Sequence, residues 1–238
     1  MKTLTLIALF QLCLLKTYGQ FQITEISVEN DSLSLSRQTK AFYEDESYVV
    51  SRSCSGEFGG TIKFKNKQTG VERSCSAVCP VAVNKINDSY FVTNSLAHLA
   101  GSAEVVEIKN PETMETFTMP PPRKKKGKVE FRYVGDDESR STKGSIKLAD
   151  SIGMNILTSF VYGKELYHIT TDFHKTYLSI IKDQKFATVD LVSNERFRLS
   201  SEPFYYNGSL LIPYKSDNGS GRVEITDNRI LIKKFDKN

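Results

Sequence analysis

The chain has 238 residues, 39% apolar and 25% charged, proportions that exclude wholesale disorder and fit one or two globular domains. Its formal charge of +4 overstates how basic the surface is. Lys2 and Lys16 fall in a leader, and five further cations crowd into residues 123–128, leaving 25 basic against 28 acidic residues elsewhere. That balance excludes a nucleic-acid-binding surface, which needs a broad cationic face to neutralise phosphates.

Residues 1–19, MKTLTLIALFQLCLLKTYG, read as a secretory signal peptide: Lys2, an apolar run over 4–15, then Thr17 and Gly19 at the −3 and −1 positions of a cut. The run is too short to cross roughly 30 Å of hydrocarbon as a helix. The mature chain is expected to start at Gln20 and to be exported, periplasmic or secreted, with no transmembrane segment. Residues 20–36 form an N-terminal arm or extra strand, and 37–238 a single all-β domain.

From there helical periodicity gives way to short runs of β-branched and aromatic residues, broken by Gly, Asn, Asp or Ser. Three landmarks recur about every 40 residues. The first is a tight polar turn leading into an aromatic-aliphatic strand, before 47–50 (SYVV), 89–92 (SYFV), 128–131 (KVEF), 164–167 (KELY) and 209–212 (SLLI). Asn207-Gly208 is the type case, because both positions of a two-residue hairpin turn want φ > 0. The second is a glycine opening an alternating strand, at Gly60, Gly101, Gly144 and Gly221, with 176–180 (TYLSI) standing in for it in the fourth unit. The third is another hairpin turn, at Thr69-Gly70, Asn110-Pro111, Asp150-Ser151, Asp183-Gln184 and Asp227-Asn228.

Four short strands in each unit resemble a β-propeller blade, and the resemblance covers nearly all of the mature chain. The implied fold is a five-bladed β-propeller of four-stranded blades, with a strand around Thr39–Tyr43 joining the C-terminal unit to close the ring. A two-sheet β-sandwich is the alternative. The chain has no Trp, so the Trp-Asp repeat is absent, and the kelch-type Gly-Gly doublet occurs once, at Gly59-Gly60.

In such a fold the connections between the second and third strands of every unit emerge on one face. Loops on a rigid scaffold are where binding residues concentrate. Glu57, His98, Asp136, Asp172, His174 and Asp217 are therefore the ligand-binding candidates. His168, between Tyr167 and Ile169, reads as a packed strand residue. Three cysteines remain after Cys13 in the leader, so one disulfide and one free thiol are expected. Second and fourth strands of one sheet lie too far apart to bridge Cys54 to Cys75, so the predicted pair is Cys54–Cys79. Residues 119–126 (MPPPRKKK) read as an exposed linker rather than a strand, solvated or offering a docking spot to an anionic partner.

There is no G-x-S-x-G, G-x-x-x-x-G-K-[ST], H-E-x-x-H or dinucleotide motif, so no catalytic residue, metal or cofactor is assigned. The expected function is an exported, non-catalytic, monomeric binding module that presents its loop face to a protein or carbohydrate. Alternatives are a propeller-type glycoside hydrolase using Glu57, Asp136, Asp172 and Asp217, or an accessory component of a cell-envelope assembly.

Overall fold

The computed structural model describes residues 21–29, 41–127 and 129–235; the expected leader and cleavage point lie outside the described residues. The fold is all-β. After a separate strand β1 (Gln22–Val28), a first sheet runs in chain order through β2 (Tyr43–Glu44), β3 (Tyr48–Cys54), β4 (Gly60–Asn66) and β5 (Glu72–Ser76). The second sheet takes β6 (Pro80–Ile86), β7 (Ser89–Leu96) and β8 (Ser102–Ile108). It then passes over a small hairpin of β9 (Arg123–Lys125) and β10 (Val129–Phe131) to add β11 (Ile146–Ile152) beside β8. The third is β12 (Asn155–Tyr162), β13 (Glu165–Thr171), β14 (Thr176–Lys182) and β15 (Lys185–Ser193). In the fourth, β16 (Arg198–Leu199) and β17 (Phe204–Tyr206) share one edge of β18 (Ser209–Lys215), followed by β19 (Ser220–Thr226) and β20 (Arg229–Phe235).

The hairpins form where the turn residues demand them. Asn87, Gly163 and the Asn207-Gly208 pair all have positive φ, as do Gly70, Asp183-Gln184 and Asp227. Two landmarks behave otherwise. Asn110 caps a single helical turn, Pro111–Thr113, by accepting from the Glu112 N–H at 3.0 Å. Asp150-Ser151 lies inside β11, and the chain turns afterwards, at Gly153.

These departures correct the unit count. The described strands form four principal sheets, neither the five expected nor the two of a sandwich. The third unit is divided: among the described residues β10 pairs only with β9, while the unit's glycine-led strand becomes the edge strand of the second sheet. With three residues in each of its first two strands, this unit has too little ladder to stand as a sheet. The tract at 119–126 likewise contains a strand, since β9 is made of its own cations.

The closing strand also differs. Tyr43–Glu44 pairs with β3 in the first sheet, and β1 instead lies parallel to β20, covering the edge of the fourth sheet from Gln22 opposite Arg229 to Val28 opposite Phe235. Most of β1 is exposed, so its neighbour Phe21 supplies the anchor. That ring is buried against Phe160, Tyr162 and Tyr167, with centroids 6.0, 5.2 and 5.0 Å away.

Successive sheets share cores. Val50, Ile62 and Phe64 of the first sheet pack with Tyr90, Val92 and Val106 of the second. Ala103 and Val105 meet Ile156 between second and third, and Ile169 and Leu178 meet Ile212, Val223 and Ile230 between third and fourth. Strand β6 lies against β12, and β11 against β15, so the second and third sheets stack face to face. A polar layer is sealed between them: Ser159 Oγ bonds Thr93 Oγ1 at 2.7 Å and accepts from Asn84 at 2.8 Å.

His168 sits beside this layer, fully buried, opposite Ser159 and Ser179 in register, and edge-on to Phe186. Neither ring nitrogen has a hydrogen-bond partner among the described residues. Burial lowers its pKa from 6.5 to about 3. Between those values the unfolded chain binds a proton that the folded chain refuses. Stability therefore falls as pH drops through the window, by at most ~1.4 kcal/mol per pH unit. His168→Leu is expected to flatten the pH dependence of urea-unfolding stability between about pH 6 and 4.5, above the range where most carboxylates titrate. An unchanged slope would show that some other group sets it.

Candidate functional site

The connection ends of neighbouring sheets come together pairwise. Cys54, closing β3, is bonded to Cys79, which precedes β6, as expected, with the two Cα atoms 4.4 Å apart. Cys75 is the free, buried thiol, and burial pushes its pKa up to about 11, which leaves it protonated and unreactive. Gly60 is required beneath this bridge: a Cβ there would lie 2.4 Å from the Ala77 carbonyl oxygen and 2.8 Å from the Cys79 nitrogen. Between the second and third sheets, the Gly153 N–H donates to the Gly101 carbonyl at 3.1 Å.

The six candidate residues occupy three separate places. Glu57, on the helical turn Gly56–Phe58, faces His98 Nδ1 at 3.5 Å across the first two sheets, both side chains about half exposed. His174 and Asp217 line a small cavity of about 150 Å³ between third and fourth sheets, where Arg198 holds Asp217 at 2.8 Å and keeps its carboxyl below the usual range. Asp172 is committed to its own turn. Burial opposes its charge, but donation from the Lys175 and His174 N–H groups, each at 2.7 Å, and from Tyr177 Oη at 3.0 Å outweighs it and lowers the pKa. Asp136 accepts from the Tyr133 N–H at 2.8 Å and pairs with Arg123, which also keeps it low. The carboxylates named for glycoside hydrolysis thus line no common cavity: Glu57 belongs to one, Asp217 to another, and Asp136 and Asp172 to neither.

Sequence reasoning missed the residue that organises this region. Glu138 is 3% exposed and accepts from three hydroxyls: Ser53 at 2.5 Å, Thr61 at 2.6 Å and Ser55 at 2.7 Å. Burial raises its pKa, but those bonds and the charge of Lys63 outweigh burial and hold the carboxyl below its ordinary value. Two further bonds dock the same loop, from the Ser139 N–H to the Thr61 side-chain Oγ1 and from the Ser76 N–H to the Ser141 carbonyl, both at 2.7 Å. The loop expected to be exposed therefore braces the turn that carries Glu57.

A larger cleft, about 650 Å³, opens between the first and second sheets at this end. It follows from strand alternation. On the face of the second sheet that looks at the first, Val92 and Val106 are core residues, and two positions further along each strand the same face presents Asn94 and Glu104. The register places Asn94 beside Glu104 and Glu104 beside Asp150, a polar row across β7, β8 and β11. One step outward Leu96, Ser102 and Ile152 form a second row, Ile152 being 84% exposed; Val78 and Glu57 face them. Of the residues named from sequence, only Glu57 lines this cleft. Asn94 and Leu96 lie beyond the 89–92 strand segment marked by the turn and extend β7. The signal was a polar residue at an inward position of an apolar strand, visible only after the strand's end is known.

Comparison with known protein families finds no match, and comparisons with curated proteins and with solved structures find none either.

Proposed function

We propose that this chain is an exported, non-catalytic binding module that meets its partner at the cleft between the first and second sheets. The four sheets would be wound as a propeller-like wheel. The observation that carries this reading is the cleft itself: open, walled by paired strands, and held in shape by the Cys54–Cys79 bridge on one side and by Glu138 beneath the Glu57 turn. Such a concave, preformed surface between rigid elements is where ligands are usually received. Export is supported by the disulfide, since such bonds persist in oxidising compartments, and no helix among the described residues is long and apolar enough to cross a membrane. The wheel is supported by the shared cores of successive sheets and by an ion pair from Arg52 on β3 to Glu202, ahead of β17, at 2.7 Å, which ties first sheet to fourth.

Ser102→Tyr places an aromatic ring in the cleft, while Lys164→Glu alters the β12–β13 hairpin at the other end of the sheets. In capture experiments on exported fractions and glycan panels, Ser102→Tyr should lose the partner and Lys164→Glu should retain it. Equal capture by both variants would remove the cleft as the contact surface.

A further inference from the structure

The hairpin β9–β10 serves neither the shared cores nor the cleft. Residues 119–134 carry six cations against one carboxylate, Glu130, while the rest of the chain beyond the leader has fewer basic than acidic residues. The two strands pair over three residues each and with no other strand among the described residues. A ladder this short is marginal alone, yet the hairpin is fastened at its base. Arg123 pairs with Asp136, whose carboxylate also accepts from the Tyr133 N–H at 2.8 Å. Gly135 lies so close to Phe58, on the turn between β3 and β4, that a Cβ there would meet the Phe58 carbonyl oxygen at 2.5 Å. Three residues further on, Glu138 anchors the chain to the first sheet.

The register sorts the side chains of this arm. Arg123 stands opposite Phe131, and Lys125 follows on the same face two residues along. Tyr133 joins that face, its ring centred 4.6 Å from the Arg123 guanidinium and 5.3 Å from Phe131. Lys124 turns to the other face, 3.8 Å from Glu130. Lys125 and, at the tip, Lys126 are exposed and have no ion pair among the described residues. Beside these cations Tyr133 is 61% exposed, Val134 65% and Met119 48%.

Exposed apolar side chains next to unpaired cations call for a partner with anionic groups and an apolar layer together. A soluble polyanion would neutralise the lysines and leave Val134 and Met119 in water. The boundary of a bilayer offers phosphates at the level of the cations and hydrocarbon just beneath, with a tyrosine ring buried and its hydroxyl wet. We propose that the β9–β10 hairpin docks the protein on an anionic lipid surface, Lys125 and Lys126 meeting headgroup phosphates and Tyr133 and Val134 entering the acyl boundary. None of these residues lines the cleft, so this contact is separate from partner binding there.

The chain has no Trp, so Val134→Trp supplies a single fluorophore at the site. With vesicles of one part phosphatidylglycerol to two parts phosphatidylcholine, its emission should shift to the blue and be quenched by lipids with brominated acyl chains. Phosphatidylcholine vesicles alone should do neither. Co-sedimentation of the mature, oxidised wild type with the anionic vesicles should weaken as salt is raised. The triple variant Lys124→Ala, Lys125→Ala, Lys126→Ala should lower the apparent affinity about a hundredfold. Val134→Ser with Met119→Ser should lower it about fivefold. Lys182→Ala with Lys185→Ala, which removes two exposed cations from the β14–β15 hairpin, should stay within about twofold of wild type. Circular dichroism and thermal melting confirm that each variant is folded. Absence of sedimentation by folded wild type, or equal loss in the Lys182 and Lys185 variant, would overturn the assignment. So would sedimentation with Trp emission unshifted and unquenched, or the same blue shift produced by soluble polyaspartate, which would point to an acidic protein instead.

Discussion

Glu138→Ala is expected to lower the free energy of unfolding by about 3 kcal/mol, measured by urea titration near neutral pH. The substitution strands three hydroxyl donors at once, Ser53, Ser55 and Thr61, two of them on paired strands of the first sheet. Glu138→Gln should cost less, since it keeps one carbonyl acceptor and loses the charge. The two variants should also differ from wild type in acid. Because the folded pKa lies below the ordinary carboxyl value, the unfolded chain takes up a proton first as pH falls. The stability contributed by this carboxylate is present above that ordinary value and is lost as pH drops through the folded one, so the variants should show a shallower decline there. A loss below about 1 kcal/mol for Glu138→Ala would mean that the hydroxyls find water and the loop is not a brace.

Removing the Cys54–Cys79 bridge by the double substitution Cys54→Ala and Cys79→Ala should cost about 3.5 kcal/mol, because the bond closes a loop with a sequence separation of 25 and restricts the unfolded chain accordingly. The same bond joins the end of β3 to the start of β6, hence the two walls of the cleft. Ligand capture should therefore weaken more than the loss of stability alone explains. Cys75→Ala should leave the oxidised pairing untouched, since that thiol is buried in the core between the first two sheets. Mass mapping of the wild type should show a Cys54–Cys79 crosslink; a crosslink to Cys75 would refute the arrangement.

Both residues bear on what could be read from the sequence. The bridge was legible because ladder spacing alone forbids Cys54 to Cys75 in one sheet, an argument independent of which sheets pack together. The hairpins were legible because Asn87, Gly163 and Asn207-Gly208 carry their conformational preference locally. The fate of the third unit was not. An alternating strand opened by Gly144 suits any free edge, and its joining β8 is settled by pairing between residues roughly 40 to 50 apart in sequence. Glu138 was invisible for a related reason: two of its three partners lie on paired strands about 80 residues earlier, and only the register of β3 with β4 puts Ser53 opposite Thr61. Of the candidate residues, Glu57 alone reached the larger cleft, because loops of neighbouring sheets meet in pairs rather than at one centre.

The pairing of β1 with β20 has a consequence for how the molecule is made. Residues 22–28 are synthesised early, yet their sheet partner among the described residues, 229–235, follows about 200 residues later. Phe21 must likewise wait for Phe160 and Tyr167 before it has anywhere to go. The first strand thus waits without that partner while the three intervening sheets are made, and the fourth sheet gains β1 only once β20 has emerged.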